Sequence, residues 1–154
     1  MERSPGVELD ASGQARELLT ILQRDHRMLR CSVDALAGAL WIGPSGWSAV
    51  RALSAALSSC VEEHLQREAS VVAMAAGSLP SGAGAFDAHR HVVSGLRLVG
   101  KYLIGPEALA LPGFRQALLA LSDQLREQLT AQEAELFPRL ARCEATAASV
   151  WCGG

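Results

Sequence analysis

Three histidines and a glutamate stand where helical periodicity asks for apolar side chains. Leu22, Leu29, Val33, Leu36 and Leu40 step by threes and fours once His26 is counted with them. Val50, Leu53, Leu57, Cys60, Val71 and Ala75 do the same once His64 and Glu68 are included, and His89 opens a third stripe with Val92, Leu96, Val99 and Leu103. An ionisable group on an inward helix face loses its hydration, at a cost that pairing, hydrogen bonding or a bound cation must offset. One buried histidine is ordinarily a hydrogen-bonded core residue. Three of them with a carboxylate, spread over the seams of three helices, point instead to a cation centre. The four-residue step from His64 to Glu68 puts both side chains on one face, a turn apart. Imidazole with carboxylate suits iron or zinc, and no cluster of thiolates accompanies them. His91 lies about 200° around the helix from His89 and is expected to face solvent.

Positioning these residues falls to four long segments. Clusters of glycine and proline at 42–46, 77–84, 105–106 and 112–113 interrupt the chain as turns do. The fourth stripe runs Phe114, Leu118, Leu121, Leu125 and continues through Gln128, Gln132 and Glu135. The expected helices cover 12–40, 47–76, 86–104 and 112–145, after a flexible N-terminus at 1–11 and before a tail at 146–154. Each has one apolar stripe, so the stable arrangement is an all-α, antiparallel up-down-up-down four-helix bundle.

Composition agrees with that class. Of 154 residues, 49% are hydrophobic and only 5% aromatic, which suits one helical domain with a full core and excludes disorder along most of its length. Fourteen basic residues against 16 acidic ones, with no basic block, exclude a nucleic-acid footprint. No uninterrupted apolar stretch approaches the ~18 residues of a membrane span, so no membrane partner is expected. The N-terminus lacks the order of a signal peptide, and the expected location is cytoplasmic. Cys31, Cys60, Cys143 and Cys152 form no CxxC pair, and in that compartment they are expected to be reduced thiols.

The chain also echoes itself. Asp25-His26-Arg27 matches Ala88-His89-Arg90, and the interval from His26 to His64 is 38 residues against 39 from His89 to Gln128. Two helix hairpins related by a pseudo-twofold axis would bring these positions around one centre.

On these residues the sequence resembles the hemerythrin-like (HHE cation-binding) family, from about residue 16 to residue 142. The resemblance is carried by Asp25-His26-Arg27, by His64-Leu65-Gln66-Arg67-Glu68, by Ala88-His89-Arg90, and by the closing run Gln132-Glu133-Ala134-Glu135-Leu136-Phe137-Pro138-Arg139-Leu140. It implies a non-haem iron centre bridged by carboxylates and capped by histidines. The implied ligands are His26, His64, Glu68 and His89, with Glu133 as a second carboxylate. The sequence departs from the family pattern at Gln128, where the family has a helix-four histidine, and at Val93, where no second histidine follows on helix three. The second carboxylate falls at Gln132 in one spacing and at Glu133 in another, while Glu135 shares the face of Gln128. Amides are weak iron ligands, so the loss is one-sided.

The leading expectation is a metal-binding protein that senses or handles dioxygen, nitric oxide or iron, with one or two iron ions and a diatomic molecule as its partners. Three alternatives stand beside it: a bundle binding haem through axial histidines, a small iron-dependent oxidoreductase or repair protein, and a metal-free interaction module.

Overall fold

The computed structural model describes residues 11–74, 83–102 and 105–151, and side chains over 13–14, 16–71, 90–101 and 105–142. Every regular element among them is helical: α1 Ala11–Trp41, α2 Trp47–Met74, α3 Ala83–Tyr102 and α4 Pro112–Trp151, with 3₁₀ turns at Gly43–Gly46 and Pro106–Ala110. The fold class is therefore all-α. The expected segment 1–11 lies outside the described residues except for Ala11.

The breakers act as their chemistry requires. Gly43 takes φ 75°, a left-handed conformation that costs glycine nothing, and Pro44 follows it at the start of the first 3₁₀ turn. Pro112 occupies the first position of α4, where its missing N–H removes no helical bond. Pro138 lies inside α4 on an exposed position, and the helix continues past it. In consequence α4 runs to Trp151, beyond the expected limit of 145, so residues 146–151 extend the helix rather than begin a tail.

Each helix packs on two others: α1 on α2 and α4, and α3 on α2 and α4. The larger core cluster joins Leu29, Val33 and Leu36 of α1 to Leu57 and Val61 of α2, Val92 and Leu96 of α3, and Leu118, Leu125 and Leu129 of α4. A smaller one joins Leu22, Val71 and Leu140, with Leu18, Leu19, Leu136 and Phe137 against them. Early residues of α1 thus meet late residues of α2 and α4. Fully burying one leucine contributes about 2 kcal/mol, so the two clusters hold the helix rotations firmly. No helix among the described residues is long and apolar enough to cross a membrane.

Helix α4 departs from the expected stripe. Leu129, fully buried, takes the core position assigned to residue 128; Gln132 is buried and Glu135 is exposed. Inward positions therefore follow 118, 122, 125, 129, 132 and 140. Glu135 stands on the outer surface, not on a core face beside Gln128.

Candidate functional site

A polar layer separates the two apolar clusters. On α1 it lies between Leu22 and Leu29, on α2 between Val61 and Val71, and on α4 between Leu129 and Leu140. It holds Asp25, His26, His64, Glu68 and Gln132, all buried. Exposures of 2%, 1% and 2% for His26, His64 and Glu68 bear out the inward positions read from their spacing. His91 is exposed, as its position two residues after His89 predicts. His89 itself belongs to α3, but its side chain lies outside the described residues, as do those of Ala75 and Leu103.

The two described imidazoles touch. Their ring centroids are 4.9 Å apart at an interplanar angle of 69°, and Phe137 covers the His26 ring at 4.8 Å. At His26, Nδ1 lies 3.0 Å from Glu133 Oε1, while Nε2 is buried. Glu133 is only partly buried, and Arg30 grips it from one turn further along α1, Nη2 donating to Oε2 at 3.0 Å and Nε to Oε1 at 3.4 Å. Burial alone would raise the Glu133 carboxyl; the His26 and Arg30 contacts outweigh it and hold the group below the usual carboxylate range.

At His64 the arrangement is related but not the same. Nδ1 faces Asp25 Oδ2 at 3.6 Å, and Asp25 receives a 2.6 Å bond from Arg67 Nη1. The opposite nitrogen, Nε2, lies 3.3 Å from Gln132 Oε1 and 3.9 Å from Glu68 Oε2. Gln132 Nε2 donates to Glu68 Oε1 at 2.6 Å. Burial lowers the His64 imidazole, and the nearby His26 lowers it further, against raising effects from Gln132 and Asp25. Burial pushes the Glu68 carboxyl up to about 7, because the Gln132 hydrogen bond offsets only part of the lost hydration.

The arginine–carboxylate pairs thus stay at the rim of the layer, in Arg30–Glu133 and Arg67–Asp25, with the amide of Gln132 bonding Glu68 inside. A cleft of about 100 Å³ opens between α1 and α2, lined by Asp25, Leu29, Cys60 and Arg67 among others. Cys60 is half-buried there and Cys31 is exposed; both are free thiols. The side chains of Cys143 and Cys152 lie outside the described residues.

The expected ligand set is therefore distributed. His26, His64 and Glu68 are brought together, Glu133 sits behind His26 at its Nδ1, and Gln128 is half-buried with its Oε1 enclosed. Among the described residues no three His, Cys, Asp or Glu side chains form a group ready to hold a cation. Three residues acquire parts that the ligand pattern did not assign them, Asp25, Arg30 and Arg67, while Gln132, one of the two positions for the second carboxylate, meets His64 and Glu68 as an amide. Asp25 was legible in principle, since it lies three residues after Leu22 and four before Leu29, on the same face. Arg30 and Arg67 follow His26 and His64 by four and three residues, which is the spacing of same-face neighbours.

No protein-family model matches the sequence, no curated protein matches it, and no solved structure matches it.

Proposed function

We propose that the chain is a hemerythrin-like, antiparallel up-down-up-down four-helix bundle whose interior layer holds non-haem iron, one ion in preference to two, for sensing or handling a small diatomic molecule or iron itself. One observation carries this reading. Two buried imidazoles from adjacent helices each turn Nδ1 toward an arginine-paired carboxylate, and beside them lies a buried carboxyl group. A carboxylate behind Nδ1 is the usual outer partner of a histidine that offers Nε2 to a metal. Meeting of early α1 residues with late α2 and α4 residues supports the antiparallel order.

The donors fit iron by type. His26 and His64 supply imidazole and Glu68 supplies carboxylate; His89, on α3, is the fourth candidate, and Glu133 serves as outer partner to His26. Bound iron would supply Lewis acidity and one-electron redox chemistry in a site with open positions. The chain's own contribution is to orient two rings, to exclude water through Phe137 and the flanking leucines, and to hold Glu68 where a cation replaces its proton. The contact between the rings leaves no slot for a porphyrin between them, which argues against axial haem ligation by this pair.

A metal-free polar layer that specifies helix pairing is the second reading, favoured by one observation: Gln132 bonds Glu68 and approaches His64 as an amide plug would. Elemental analysis and an absorption spectrum of untagged protein, before and after anaerobic loading with ferrous iron, decide between them. Near one iron per chain, with a raised denaturation midpoint, supports the metal site. Absence of bound iron and an unchanged midpoint would establish the plugged bundle.

A further inference from the structure

Arg30 reaches the interior only through another side chain. Its guanidinium, about one-third exposed, makes two bonds to Glu133, and Nη2 also donates to Thr130 Oγ1 at 3.0 Å. Thr130 in turn donates to the Arg126 backbone oxygen at 2.9 Å, so the arginine is tied to α4 at two points. Glu133 Oε1 is then left against His26 Nδ1 at 3.0 Å.

We infer that Arg30 is a positioning residue: by clamping Glu133, it holds His26 as the Nδ1–H tautomer and so directs the Nε2 lone pair into the buried layer. An ionised carboxylate can only accept, so the nitrogen facing it must carry the proton. A free neutral imidazole in water prefers the other tautomer, with the proton on Nε2. Something must therefore hold the carboxylate in place. Glu133 is too exposed to be fixed by packing alone, with 38% of its side chain accessible. A planar guanidinium bonded through two nitrogens fixes both oxygens at once, which a lysine ammonium does less well. The use of this device, an imidazole ready to donate its Nε2 lone pair to a metal, rests on the function proposed above. Its existence does not, because the tautomer is a property of the metal-free protein.

The experiment is long-range ¹H–¹⁵N NMR of histidine-labelled, metal-free protein at pH 8, with His26 signals assigned by comparison with His26→Gln. In the native chain His26 is expected to be predominantly Nδ1–H. Arg30→Gln should lower the Nδ1–H to Nε2–H ratio of His26 several-fold and leave that of His64 unchanged, while Arg30→Lys restores part of it. Thr130→Val, which removes the outer bond to Arg30 along with the hydroxyl's own bond to the Arg126 backbone oxygen but leaves Arg30 and Glu133 in place, should move the ratio the same way by less and covers the case in which Arg30→Gln does not fold. Loss of an outer partner should also weaken iron binding about tenfold. A native His26 carrying its proton on Nε2, or a ratio insensitive to both substitutions in folded protein, would overturn the inference. Failure of native protein to bind iron, with the tautomer shift observed, would sink the proposed function and leave the positioning role standing.

Discussion

Gln132 donates its amide N–H to Glu68 across 2.6 Å of the bundle interior, and its carbonyl oxygen lies 3.3 Å from His64 Nε2. A neutral side chain of α4 thus meets the two groups of α2 best suited to hold a cation. Amide and carboxylate have nearly the same shape, so the chemistry of the layer can be changed here with little movement of the helices.

Replacing Gln132 by Glu together with Gln128→His should raise iron stoichiometry from near one toward two ions per chain. The pair lies one turn apart on α4, as His64 and Glu68 do on α2, and Gln128 Oε1 has no hydrogen-bond partner among the described residues to lose. Without metal the same variant should be less stable than the native chain, because a second carboxylate would press against Glu68. Iron-to-protein ratios and denaturation with and without iron measure both effects. Unchanged iron content in folded protein would show that α4 does not reach the metal.

Glu68 makes metal-free stability depend on pH with a definite sign. Its carboxyl is raised from 4.5 to about 7, so stability is complete below pH 4.5 and is lost as pH rises through 7. The loss approaches about 3 kcal/mol for a shift of that size, as an order of magnitude. His64 acts oppositely: its lowered pKa gives stability that is complete above 6.5 and lost as pH falls below it. Glu68→Gln should therefore stabilise the metal-free chain at pH 8 and leave the opposite slope of His64, joined toward pH 4 by that of Glu133, whose lowered carboxyl also loses stability as pH falls. Urea midpoints from pH 4 to 9 test this, and a variant no more stable than the native chain at pH 8 counts against a carboxyl whose ionised form is penalised by burial.

His64→Ala should remove most bound iron, whereas His91→Ala should remove none. The first imidazole is enclosed between α1, α2 and α4; the second is exposed on α3. Equal losses, read from metal-to-protein ratios, would mean that iron is held at the surface.

Gly46→Ala should lower stability by about 1–3 kcal/mol without altering iron content. A methyl group there would stand 2.5 Å from the Ala39 backbone oxygen and 3.2 Å from Ile42 Cβ, in the turn that joins α1 to α2. In a chain of this length the cost reads as a fall in melting temperature of about 2–4 °C for each kcal/mol. Thirteen residues of α1 separate Ala39 from His26, on the order of 20 Å, so the metal layer should not feel the change.

Periodicity alone determined the helical class and the burial of His26, His64 and Glu68, because each shares a stripe with leucines and valines whose burial holds the helices in place. The turn chemistry of Gly43-Pro44 and Pro112 likewise marked its boundaries locally. On α4 that reasoning loses its grip. Residues 128 and 129 differ by about 100° around the helix, and both lie within the width of the inward face. Which of them enters the core depends on how α4 is rotated against α1 and α3, and Leu129 wins because it fills apolar space that Gln128 would leave unpaired. That rotation also carries Gln132 inward, sets Glu133 behind His26 and turns Glu135 to solvent. The arginine clamps are a tertiary matter for the same reason. Arg30 and Arg67 are ordinary surface charges on their own helices, and only the packing of α1 against α4 and α2 brings Glu133 and Asp25 within their reach.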